Sequence, residues 1–281
     1  MDIIINDFHK IRLKSIFVIG FLFGIILIIP RILNFNNPWF IFFEQVITIL
    51  LPTLIFTWVF IKKNNGNIYS FLNLRKITIK EILILTGISL LLPAITNFVY
   101  EIFDFLAVSS SVGEDVMLLP DSSKGFSYGF FVFLYNLFFL AIIPSICEEF
   151  LFRGSILGFM KRGNWPYGAA IVVNAILFGA FHENLEQFFY TTAMGIVLTK
   201  VTLETNSLYG GIYVHSLYNG LISLPDILDG EAIFLVNKVT DFFDSMNNIF
   251  WFFLSIILIW KLIKILENIS KERFLIKEEG N

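Results

Sequence analysis

Pro144-Ser145-Ile146-Cys147-Glu148-Glu149-Phe150-Leu151-Phe152-Arg153 sets two adjacent acids and an arginine at the end of an almost unbroken apolar run from Phe126 to Ile146. A charge near the middle of a membrane span costs roughly 2.5–3.5 kcal/mol on insertion scales, so such charges need partners or a purpose. With Phe126 to Met160 mostly helical, Glu149 and Arg153 are four apart, share a face and can pair. Glu148 lies about 100° round the helix from Glu149, which leaves it as the unpaired acid. The rest of the chain is organised by what else faces Glu148.

Membrane composition surrounds this stretch. Of 281 residues, 56% are hydrophobic and only 15% charged, and the mean hydropathy is +0.76, values foreign to a soluble core. A net charge of −3 with no basic cluster argues against nucleic-acid binding. The single cysteine, Cys147, excludes an internal disulfide and reads as a small hydrophobe in an apolar run. Lys10, Arg12 and Lys14 precede the apolar run Ser15–Ile29, and no small-residue cleavage site follows, so a retained first span is expected.

Eight apolar segments approach the length needed to cross ~30 Å, at 15–33, 39–61, 82–105, 126–148, 166–182, 186–203, 207–224 and 248–266. Polar linkers separate some of them: Asn64-Asn65-Gly66-Asn67, Ser109 to Lys124, and Pro225 to Asn248. With the N-terminus inside, Lys10, Arg12, Lys14, Lys62, Lys63, Arg75, Lys76 and Lys80 fall on the cytoplasmic side, as do Lys161, Arg162, Lys200 and the C-terminal cations. Outside stand only Arg31, Lys124 and Lys238. The positive-inside rule thus predicts eight spans with both termini cytoplasmic. Gly20-x-x-x-Gly24 and Gly154-x-x-x-Gly158 read as places of close helix packing.

Three histidines remain. His9 precedes the first span and reads as an interfacial residue. His182 ends Phe178-Gly179-Ala180-Phe181-His182, so the Phe178 ring can wall the imidazole one helical turn away. His215 and Asn219 are likewise four apart and share a face. Along their helices Glu148 and His182 lie ~20 and ~24 Å from one cytoplasmic turn, and His215 and Asn219 ~13 to ~20 Å from the next. All can meet inside the membrane. An acid and an imidazole can take a proton from water, while a second imidazole and an amide can bind an oxyanion. Glu148, His182 and His215 can equally hold a divalent metal such as Zn²⁺, although no His-Glu-x-x-His helix is present.

Glu148-Glu149-x-x-x-Arg153, Phe178-x-x-x-His182 and His215-x-x-x-Asn219, in this order on separate spans, resemble the three motifs of the CPBP family. That family comprises the CAAX prenyl proteases of the Ras-converting type and the bacterial Abi and bacteriocin-processing proteins. The resemblance covers about residues 125–225, within a single membrane domain spanning 1–281. It implies an intramembrane endopeptidase of the metallo- or glutamate type. Glu148 would activate water with His182, His215 and Asn219 would bind the oxyanion, and Glu149 and Arg153 would stabilise the site.

The expectation is therefore an all-α polytopic integral membrane protein, with about eight helices enclosing an intramembrane polar cavity open to the cytoplasm. Its expected setting is the lipid bilayer of a bacterial plasma membrane, and its expected substrate a peptide or membrane-anchored protein. Alternatives are a bacteriocin self-immunity or maturation role using the same site, and a non-catalytic membrane module that binds a peptide. A small-ion or proton-coupled transporter ranks last, because no inverted repeat is evident.

Overall fold

A computed structural model describes residues 14–26, 28, 45–63, 66–105, 131, 134–227 and 249–279, and every regular element among them is helical. In order these are α1 (Lys14–Ile26), α2 (Val46–Lys63) and α5 (Leu134–Arg162), with the short α3 (Ile68–Phe71) and the long α4 (Ile79–Phe105) between the last two. They are followed by α6 (Tyr167–Phe181), α7 (Leu185–Thr205), α8 (Leu208–Ile227) and α9 (Ile249–Glu279).

Among the described residues four helices are long and apolar enough to cross a membrane, within α2, α4, α5 and α9. The other four expected spans are not established. α1 and α6 are apolar but shorter, while α7 and α8 have the length and carry too many polar side chains, Lys200 and Glu204 on one, His215, Ser216 and Asn219 on the other. The linker Ser109–Lys124, most of Pro225–Asn248, His9 and the cations assigned outside fall beyond the described residues. No polar cavity of the expected kind is established either. A large apolar cleft, about 620 Å³, lies between Leu137 and Ile142 of α5 and Ile212 to Leu221 of α8.

Local chemistry explains where helices start and stop. Asn67 caps α3, its Oδ1 accepting from the backbone N–H of Tyr69 at 2.8 Å. Thr78 and Glu81 form a capping box at the head of α4. The Thr78 hydroxyl accepts from the Glu81 N–H at 3.3 Å, and Glu81 Oε2 accepts from the Thr78 N–H at 2.7 Å. After α5, α6 and α7 the chain turns through a left-handed residue, Asn164, Glu183 and Asn206 respectively, the conformation that ends many helices. Glu183 is notable, because asparagine and glycine enter this region with less strain.

α7 lies at the centre of the bundle. It forms a hairpin with α6 through the turn at His182–Asn184 and also packs on α4, α8 and α9. α5 packs along α8 and against α2 and α6. Outward faces stay apolar: Phe17, Phe21, Phe250 and Trp260 are all more than half exposed, as expected of surfaces solvated by lipid chains. At one end Glu81, buried, pairs with Arg75 at 2.7 Å and Arg273 at 3.1 Å. Arg75 Nε in turn donates to the Thr205 carbonyl at 3.0 Å, which fixes the turn that launches α8.

The two glycine pairs differ. A Cβ on Gly158 would come within 2.7 Å of the Phe71 ring, and one on Gly154 within 3.0 Å of Leu72, so this pair admits side chains around α3 rather than a helix backbone. Gly20 and Gly24 face nothing within 4 Å among the described residues. Gly158→Ala should therefore destabilise by about 1–3 kcal/mol, since the Phe71 ring is also held edge-on to Phe159 at 5.0 Å. Thermal unfolding in detergent checks this, with Gly20→Ala as a control whose midpoint should not fall.

Candidate active site

α5 is not a regular helix where the acids lie. After Ile143–Glu149 it widens over Phe150–Ile156, where the Leu157 N–H reaches back five residues to the Phe152 carbonyl. Wide turns of this kind recur at functional sites. This one begins directly after Glu149 and carries Arg153 in its middle.

Glu149 and Arg153 form an ion pair, with Nη1 donating to Oε1 at 2.6 Å and both side chains fully buried. The same Oε1 lies 3.0 Å from Nδ1 of His215, one helix away on α8. An ionised carboxylate only accepts, so Nδ1 carries the proton in this bond and the neutral ring presents Nε2 as an acceptor. Nε2 faces Oε2 of Glu148 at 3.8 Å. Glu148 is thus not isolated: it shares the pocket with the His215 imidazole.

One aromatic ring ties the remaining members together. Phe178 stands edge-on to His182 at 5.1 Å and to His215 at 5.7 Å, and the Arg153 guanidinium lies over its face at 4.4 Å. Cation–π contact of this kind is worth about 2 kcal/mol when desolvated. His182 caps the C-terminus of α6, with Nδ1 3.0 Å from the Phe178 carbonyl. That carbonyl can only accept, so Nδ1 donates and Nε2 is left as an acceptor. No carboxylate among the described residues pairs with the His182 ring. Asn219 lies one turn beyond His215, its Nδ2 donating to Ser145 Oγ at 3.2 Å.

A three-donor metal site needs its ligands about 2.0–2.2 Å from one ion. Among the described residues no three of His, Cys, Asp and Glu come together in that way. As placed, Glu148, His182 and His215 are not gathered into such a centre, and no step below runs through a metal.

Several contributors escaped the sequence reading. Ser145 holds Asn219. The Gly195 carbonyl accepts from Arg153 Nη2 at 3.3 Å. Asn174 donates to the Phe152 carbonyl at 2.8 Å, inside the wide turn. Asn174 had a signal, being an amide in the otherwise apolar run of α6.

Comparison with known proteins matches the sequence that carries this site to a family model. Residues 130–221 match the model described as type II CAAX prenyl endopeptidase Rce1-like, a segment containing every residue of the site. Over these residues the chain is similar to the type II CAAX prenyl endopeptidases, in line with the CPBP resemblance of its three motifs. The membrane-embedded CAAX protease MroQ of Staphylococcus aureus (strain USA300) is 27% identical over 119 residues, which cover 41% of this chain and 47% of that protein. The match thus spans about half the length of this curated relative. No solved structure matches the chain. The CPBP match and the lipid-facing helices together make this an integral membrane protein.

Proposed function

We propose that this protein is an intramembrane endopeptidase of the CPBP type that hydrolyses peptide bonds of a peptide or membrane-anchored protein. The carrying observation is the approach of His215 Nε2 to Glu148 Oε2 at 3.8 Å, which in the neutral ring sets two acceptors face to face. Two acceptors at that separation call for a donor between them, and one water can bond both at about 2.8 Å.

Glu148 takes a proton from this water, and the hydroxide adds to the substrate carbonyl carbon. When the C–N bond breaks, Glu148 returns the proton to the leaving nitrogen. Glu149 holds His215 by Nδ1, fixing the ring's direction as an acid orients an imidazole in hydrolases of other folds. This changes one pairing expected from sequence: the imidazole beside Glu148 is that of His215. His182 presents Nε2 as a second acceptor near the same Phe178 ring, and Asn219 supplies an amide donor for the oxyanion.

Detergent-purified wild type and Glu148→Gln, compared on a quenched peptide library, test the reading. The variant should accumulate normally and cleave at least about 10²-fold more slowly. Equal cleavage by both would remove Glu148 from the chemistry. A chelator should leave the wild-type rate unchanged. A loss reversed by added metal would instead replace the metal-free scheme.

A further inference from the structure

The site rests on a second buried layer that the three motifs do not contain. Asn174 on α6 and Thr199 on α7 are both fully buried. Asn174 Nδ2 donates to the Phe152 carbonyl at 2.8 Å, beside Arg153 in the wide turn of α5. On its other side Asn174 Oδ1 lies 3.1 Å from the Thr199 hydroxyl. The same hydroxyl lies 2.7 Å from the Gly195 carbonyl, which also accepts from Arg153 Nη2. Gly195 brings its carbonyl this far in because a Cβ there would come within 3.0 Å of Ala175 Cα.

A hydroxyl has one proton and here two acceptors in reach. Donated to Gly195, at the shorter of the two distances, it shares with Arg153 a carbonyl that has two lone pairs. Donated to Asn174, it satisfies the amide oxygen and leaves that carbonyl to the guanidinium. Thr199, and through it Asn174, thus bears on the carbonyl that Arg153 reaches. From there the connection is continuous: Arg153 to Glu149 at 2.6 Å, then Glu149 to His215 Nδ1 at 3.0 Å.

We propose that Asn174 and Thr199 are positioning residues, which place the Arg153 guanidinium and, through Glu149, fix the Nδ1 proton and the orientation of the His215 ring. Their effect on catalysis rests on the peptidase reading; their effect on the imidazole does not. With only three histidines in the chain, ¹⁵N-histidine NMR of the full-length protein in detergent micelles reads the ring directly, a His215→Gln sample assigning its signal.

Thr199→Val keeps the shape and removes the hydroxyl. It should move the His215 ring-nitrogen resonances while those of His9 and His182 stay in place, and Thr199→Ser should restore them. Asn174→Leu should move the same resonances. On a cleaved library peptide, kcat of Thr199→Val should fall about tenfold to a hundredfold with KM little changed. Unmoved His215 resonances in folded Thr199→Val protein would overturn the proposal, whatever the cleavage rates. Loss of Asn174→Leu from the membrane would not rescue it, because the Thr199 pair stands alone as a test. Resonances that move in a protein cleaving nothing would uphold the positioning and sink the peptidase reading instead.

Discussion

Arg153→Ala should remove most of the protein from the membrane rather than merely slow it. Arg153 is among the largest fully buried side chains, and Glu149, its partner at 2.6 Å, is equally enclosed. Deleting one member of such a pair strands the other charge and costs about 3–5 kcal/mol, a large part of a total stability of roughly 5–15 kcal/mol. The contact with the Phe178 face and the bond to the Gly195 carbonyl go with it. Accumulation in membranes and the thermal midpoint in detergent measure the loss. Replacing both charges together, as Glu149→Gln with Arg153→Met, should recover much of the protein, because no unpaired charge remains. That double variant should stay inactive, since the amide no longer holds His215 as a carboxylate does. Normal accumulation of Arg153→Ala would show that the pair is not what supports this part of α5.

Gly211→Ala should damage stability and cleavage together, because the added methyl group strikes the carboxylate that holds His215. Gly211 lies one turn before His215 on α8. A Cβ there would stand 2.5 Å from Glu149 Oε2 and 2.6 Å from Thr202 Oγ1. The carboxylate cannot retreat freely, because Oε1 is fastened to both Arg153 and His215. α8 must shift instead, and the imidazole shifts with it. Overpacking of this kind costs about 1–3 kcal/mol, and a displacement near 1 Å at a reacting group can cost about 10²-fold in rate. Cleavage rate and thermal midpoint should therefore fall together. Gly220→Ala, on the same helix with its nearest neighbour at 3.6 Å, should lower neither. Wild-type cleavage by Gly211→Ala would show that Glu149 is free to move.

Much of the site was legible in the chain because it depends on spacing within single helices. The i, i+4 relation of Glu149 and Arg153, of Phe178 and His182, and of His215 and Asn219 holds on any helix, and the structure places each pair on one. What spacing cannot carry is the bond between helices. The Glu149–His215 contact joins residues far apart in the chain, so Glu148 read as a solitary acid and His182 as its partner. The wide turn in α5 was equally hidden, since it is sustained from outside by Asn174. The Thr78–Glu81 capping box could have been read directly from Thr-x-x-Glu at the head of an apolar run. Apolar length alone predicts eight spans; four are long and apolar enough among the described residues, while α7 and α8 carry polar side chains that face other helices.

α6, which delivers His182, is 15 residues long and rises only about 22 Å. The hydrocarbon layer is about 30 Å thick. A helix that stops short in this way either thins the bilayer around it or leaves the His182–Asn184 turn beneath the headgroups, where water must follow it in. Mismatch costs fractions of a kcal/mol per Å, so lipids with shorter chains gather beside such a helix at little expense. Were α6 to start at one membrane face, the surrounding lipid would be a component of the site, setting the depth at which its histidine meets water.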